Sequence, residues 1–164
     1  MESGIETGYT ESGERPDRLF YDLPIETLKA FDALKATNEY QRGTVLFREG
    51  SPCRGVLVLC DGRARLSVCS ESGSRLTLRI AGPGEILGLS ACLAGTPHEM
   101  TAELLDTTRV ALVRRKDLME FLHGHREACM KIVSFLSQDL HRAYDRVRSV
   151  GMGRSRRSRP MRVH

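Results

Sequence analysis

No run of 18 apolar residues occurs in the 164-residue sequence, so no membrane-spanning helix is expected. The opening MESGIETGYTES has neither a basic start nor an apolar centre and does not read as a signal peptide, which makes a cytoplasmic protein the expectation. No C-x-x-C is present, and Cys53, Cys60, Cys69, Cys92 and Cys129 stand at wide, unequal spacings. That pattern argues against both a zinc site and a disulfide framework, and reduced, mostly buried thiols are expected. The first cysteine lies too far along the chain for a compact N-terminal iron–sulfur cluster. G-x-S-x-G, Walker and paired-carboxylate patterns are missing too, so no catalytic residue, metal or cofactor is assigned and the chain is not read as an enzyme.

Two further gaps are local. From Ile80 to Thr108 there is no Lys or Arg, whereas Glu85, Glu99, Glu103 and Asp106 are acidic. From Glu127 to Val150 there is no Gly or Pro, which leaves a long helix uninterrupted.

What is present suits one domain with tails: 40% of residues are hydrophobic, enough for a single core. The net charge of +4 is unevenly placed, because eight Arg and one Asp fall between Arg142 and His164, leaving 17 basic against 20 acidic residues elsewhere. Residues 1–17 are polar and Gly-rich and are expected to be disordered. Pro24 suits a helix start, and Ile25, Leu28, Phe31 and Leu34 then recur along one face. Between Glu39 and Val113 the pattern becomes short β-type runs: YQRG, TVLF, GVLVLC, RARLSVC, RLTLRIA, TAELL and TTRVALV. In the fourth, Arg63, Arg65, Ser67 and Cys69 alternate with Ala64, Leu66 and Val68, as in a half-buried strand. Turns are marked at Glu49-Gly50, Asp61-Gly62 and Ser72-Gly73, and many short strands so separated indicate a sandwich or jelly roll.

The stretch GPGEILGLSACLAGTPHEMTA, residues 82–102, combines a Gly-Pro-Gly turn, a one-turn helix over Leu89–Ala94 and re-entry into a strand. Gly88, without a Cβ, would let a ligand or a neighbouring strand approach the backbone. This stretch resembles the phosphate-binding cassette of the Crp/Fnr family of bacterial regulators. GTVLFREG (43–50) and VLCDGRA (58–64) resemble that family too, in the right order and spacing, so the resemblance covers about residues 20–150. It implies a mainly β fold with flanking α: a double-stranded β-helix, or jelly roll, over 18–123, followed by a dimerisation helix over 124–150. In that family a Gly-Glu pair holds the ribose and an Arg-Ser/Thr-Ala triplet the cyclic phosphate. Laid on this chain, the pair falls on Gly88 and Leu89, and the triplet on Met100, Thr101 and Ala102. Both ligand-holding side chains are absent, so the pocket implied by Gly84, Glu85, Gly88, Leu89, Ser90, Met100, Thr101 and Ala102 lacks the usual cyclic-nucleotide chemistry. Glu85, Glu99 and Glu103 read as solvated loop or strand-edge residues. Thr101 reads as a plain strand residue, with a neutral or polar ligand as the sharper alternative.

Arg115 to Leu122 is expected as a short helix interrupted near Gly124. Beyond it Cys129, Val133, Leu136, Leu140, Ala143, Val147 and Val150 step by 4 and 3, a heptad seam, with Ile132 and Phe135 on an adjoining face. The family uses this helix as a two-fold dimer interface; the alternative is a helix buried within its own domain. After Gly151 the resemblance stops, and GMGRSRRSRPMRVH (151–164) is read as a disordered basic tail capable of weak, non-specific nucleic-acid binding. Two functions are compatible with these features. One is a ligand-sensing and dimerisation module of a Crp/Fnr-type regulator, homodimeric or paired with a relative, answering to an unknown small-molecule effector other than cyclic AMP or to none. The other is a headless dimerisation partner that antagonises full-length relatives. His123, Gly124, His125 and Glu127 superficially resemble a cupin metal motif but sit at a helix junction, and are read as surface residues. His98 is read as an exposed loop histidine, with haem ligation in a gas-sensing relative as the alternative.

Overall fold

The computed structural model describes residues 19–157, with side chains described from 19 to 150; the polar N-terminal segment 1–17 lies outside the described residues. Helix α1 (Ile25–Asp32) starts after Pro24, whose carbonyl accepts the Thr27 and Leu28 N–H groups. Eight strands follow, interrupted once by a helix: β1 (Ala36–Tyr40), β2 (Val45–Phe47), β3 (Gly55–Leu59), β4 (Ala64–Cys69), β5 (Arg75–Ala81), β6 (Ile86–Leu87), α2 (Leu89–Ala94), β7 (Thr101–Leu104) and β8 (Thr108–Arg114). Helices α3 (Arg115–Gly124) and α4 (Arg126–Arg157) complete the chain.

The strands form two antiparallel four-stranded sheets, ordered β1-β8-β3-β6 and β2-β7-β4-β5, the jelly roll expected. One apolar cluster lies between the sheets: Phe47, Leu59, Leu66, Leu87, Leu104 and Val110. A second lies on the outer face of the first sheet, where Val56, Val58, Ala111 and Val113 meet Phe20, Phe31 and the helices. Strand β3 is therefore covered on both sides, which is why GVLVL is apolar throughout instead of alternating. Phe20, Phe31 and Phe121 interlock beneath α1, with ring centroids 5.0 to 6.0 Å apart.

Three local expectations are corrected. YQRG is mostly turn, and the strand precedes it at Ala36–Tyr40; all five residues of that edge strand are exposed, so no apolar alternation marks it. The β4 alternation fails at Ser67, which is 2% exposed. The β4–β5 register shifts between Leu66 and Ser67, and a bulge of this kind re-aims the side chains around it. The final helix does not stop at Val150 but continues to Arg157; residues 158–164 of the expected basic tail lie outside the described residues. Gly151 and Gly153 cost about 1 kcal/mol each relative to Ala, which weakens a helix without breaking it.

On α4, Ala128 and Ile132 are buried and Phe135 packs beside them against the core, so one side of the helix docks on its own barrel. Cys129 and Leu136 share that contact. The rest of the seam is open: Val133, Leu140, Ala143, Val147 and Val150 are all exposed.

Candidate functional site

The cassette is built around backbone that only glycine adopts easily. Gly88 caps α2 with φ of +83°, and a Cβ there would lie 3.1 Å from His98 Cε1. What approaches the Gly88 backbone is thus an imidazole of the protein itself. His98 is 5% exposed, not the loop-surface residue expected, and stacks on Phe47 with ring centroids 3.8 Å apart. Its N–H and carbonyl pair with Ser51 and Gly50, tying the cassette to the β2–β3 loop. Nδ1 is buried without a partner, and burial holds the ring's pKa below its ordinary value, opposed by nearby Glu99. A short polar segment, GTPHEM, carries no local sign of this burial.

A cavity of about 100 Å³ lies between α2, β6, the start of β7 and α4. Of the expected pocket residues, Gly88, Leu89, Ser90 and Met100 line it, and Gly84, Glu85, Thr101 and Ala102 do not. Each of those four has a structural engagement instead. Gly84 donates its N–H to Leu59 O at 2.7 Å, and Glu85 accepts the Gly82 N–H at 2.7 Å. The Thr101 hydroxyl oxygen accepts the Glu49 N–H at 2.9 Å, and Ala102 is fully buried between the sheets. Glu85, read from sequence as solvated, is part-buried and bridges to Arg79 at 2.7 Å. Glu103 likewise bridges to Arg75 at 3.4 Å, on the outer face of its sheet.

Arg79 is the one cation among the lining residues that sequence reasoning missed, which also include Phe47, Leu66 and Glu99. It stands one position before the cation-free run, and β5 carries it to the cavity from outside the cassette. Phe135, Leu136 and Asp139 of α4 close the opposite wall. Arg79, Ile86, Phe135 and Asp139 also line a separate cleft of about 660 Å³ beside Leu19, Tyr21 and α4, and the cations there are engaged: Lys131 with Asp22, and Arg142 with Asp139 at 3.3 Å. The cassette wall carries Leu89 and Met100 with Ser90 and the acidic Glu99 but no cation, and the nearest guanidinium is committed to a carboxylate.

At the helix junction His123 is exposed and directs Nδ1 to Met119 O, whereas His125 is half-buried and stacks on Phe121 at 4.4 Å. Among the described residues, no group of three or more His, Cys, Asp or Glu is placed to hold a metal, and no helix is long and apolar enough to cross a membrane.

Comparison with curated proteins gave no match. Among solved structures, the chain is similar to the catabolite activator protein of Thermus thermophilus (TM-score 0.76, 20% identity over 81% of this chain), of which it spans 62%. It is also similar to the sensor domain of the transcriptional regulator DNR from Pseudomonas aeruginosa, with TM-score 0.68 and 19% identity over 88% of this chain and 95% of that one. A third is the N-terminal domain of a transcriptional regulator from Streptomyces coelicolor, with TM-score 0.64 and 24% identity over 77% of this chain and 88% of that one. At these identities the likeness concerns the fold. The family model "Cyclic nucleotide-binding domain" matches residues 37–125, from β1 through the cassette to the end of α3, and the chain belongs to that family.

Proposed function

We propose that this chain is the effector-sensing and dimerisation module of a Crp/Fnr-type transcription regulator whose pocket does not serve cyclic AMP or cyclic GMP. The observation that carries the reading is the cavity wall, where Leu89 and Met100 occupy the positions at which the resemblance calls for ionic groups. An enclosed phosphate without a cation costs several kcal/mol or more, of which N–H donors offset only a part. Arg79 could supply the charge only by giving up its ion pair with Glu85, whose carboxylate is 16% exposed. Volume argues the same way, since about 100 Å³ falls short of the ~300–1,000 Å³ of ordinary small-molecule sites. An effector for this pocket is smaller and less charged than a nucleotide. The open face of α4, with Leu140, Val147 and Val150 each more than half exposed, supports pairing with a second copy.

Titration calorimetry with either cyclic nucleotide up to millimolar concentration tests the pocket, since a millimolar Kd corresponds to only about 4 kcal/mol. No heat of binding is expected. A micromolar Kd would overturn the reading.

A further inference from the structure

The Gly88 carbonyl, at the start of α2, accepts two hydrogen bonds: the Cys92 N–H at 3.0 Å and the Cys53 thiol at 3.9 Å. Cys53 lies in the loop before β3, is partly buried, and also donates to Gly55 O at 3.4 Å. Cys92 stands one turn into α2 with its side chain fully buried, in the apolar cluster against which Cys53 also packs. Two segments far apart in sequence therefore bring their cysteines to one carbonyl beneath the cassette. Wide spacing in the sequence gave no sign of the contact.

We propose that Cys53 and Cys92 are a reversible redox pair, closing to an intramolecular disulfide in the presence of a peroxide and so tethering α2 to the loop before β3. The deprotonated Cys53 sulfur attacks one oxygen of hydrogen peroxide, forming an S–O bond as the O–O bond breaks and hydroxide leaves, to be protonated to water. The Cys92 sulfur then attacks the Cys53 sulfur, the S–O bond breaks, and the departing hydroxide takes the Cys92 proton. Two thiols and one peroxide give one disulfide and two waters. The order of attack follows from the surroundings. Burial pushes the Cys92 thiol up to about 12, the neighbouring Cys53 adds to the shift, and Arg115, which donates to Cys92 O at 2.6 Å, opposes it. Cys92 is the protonated, enclosed partner, and the partly exposed Cys53 meets the oxidant first. Because Leu89 and Ser90 of α2 line the cavity, the crosslink fixes one wall of the pocket whatever the pocket holds.

The test is to treat the purified full chain with hydrogen peroxide, quench with an alkylating agent and map peptides without reduction. The expected result is a Cys53–Cys92 linked peptide, loss of two alkylatable thiols, and recovery of both with dithiothreitol. The link should persist when Cys69→Ser and Cys129→Ser remove the exposed thiol and the seam thiol, and vanish in Cys53→Ser. A Cys92 substitution would disturb a fully buried position, so the Cys53 variant carries the test, with unchanged circular dichroism as its folding control. Unreacted thiols in excess peroxide, Cys53 halted at sulfinic acid, or linkage only through Cys69 or Cys129 would each overturn the proposal. Calorimetry with nucleotides is blind to all of these outcomes, so this inference and the reading of the pocket fail separately.

Discussion

A neutral imidazole stacked face to face on Phe47 holds the cassette loop against β2 only while it stays uncharged. Burial lowers the His98 pKa in the folded chain, so as pH falls through the unfolded value of about 6.5 the unfolded state takes up the proton first. Stability from this residue is complete above that pH and declines below it, until the folded-state pKa is reached. Denaturant unfolding at steps from pH 8 to pH 5 should show that decline, and His98→Asn should flatten it; a variant with the wild-type slope would place the titration elsewhere. Gly62 offers a second single-residue test. Its φ is +65°, and a Cβ would lie 2.0 Å from Thr108 Oγ1, a hydroxyl already donating to Asp106 O at 2.8 Å. Gly62→Ala should cost more than about 1 kcal/mol in urea unfolding, from the strained dihedral and the displaced threonine together. The Asp61-Gly62 turn was legible in sequence because turn chemistry is local. The burial of His98 and the arrival of Arg79 were not, because both arise from strands that meet only in the folded sheets.

Among the elements, α4 has the strongest sequence signal and the clearest division of labour. Ala128, Ile132 and Phe135 give it to the barrel, while Val133, Leu140, Ala143, Val147 and Val150 remain open, as the adjoining faces of the heptad pattern predict. Cys129 and Leu136, expected in the seam, share the barrel contact, so the open stripe is widest beyond Leu136. Leu140→Glu would bring two like charges together in a dry interface, at a cost of about 3–5 kcal/mol, or roughly a hundredfold or more in the dimer Kd. Leu140 is 52% exposed in the single chain, so the variant should stay folded and sediment as a monomer. Wild type already monomeric at tens of micromolar would refute pairing through this face. Strands were harder to place than this helix. The apolar run of β3 marks a strand covered on both faces, whereas the polar edge strand β1 and the two-residue β6 have too little periodicity to declare themselves.

At the scale of the whole molecule, the net charge of +4 belongs to one end and not to the fold. The barrel's visible cations are largely spent on neighbours: Arg63 on Asp106, Arg75 on Glu103, Arg79 on Glu85 and Arg109 on Asp61. Seven arginines and no Asp or Glu fall between Arg146 and Arg162, with Asp145 just before them, and charge of this kind attracts phosphates without reading bases. Engagement of about five phosphates would make the logarithm of affinity fall with the logarithm of salt at a slope of roughly −4 to −5. Binding to two unrelated duplexes should therefore be weak and equal, and deletion beyond Gly151, which removes five of those arginines, should abolish it while leaving the sedimentation of the remainder unchanged. Fluorescence anisotropy at several salt concentrations measures both quantities. A preference above about tenfold for one duplex corresponds to some 1.4 kcal/mol, which indifferent charge does not supply; that result, or binding that survives the deletion, would mean that the folded barrel itself contacts DNA.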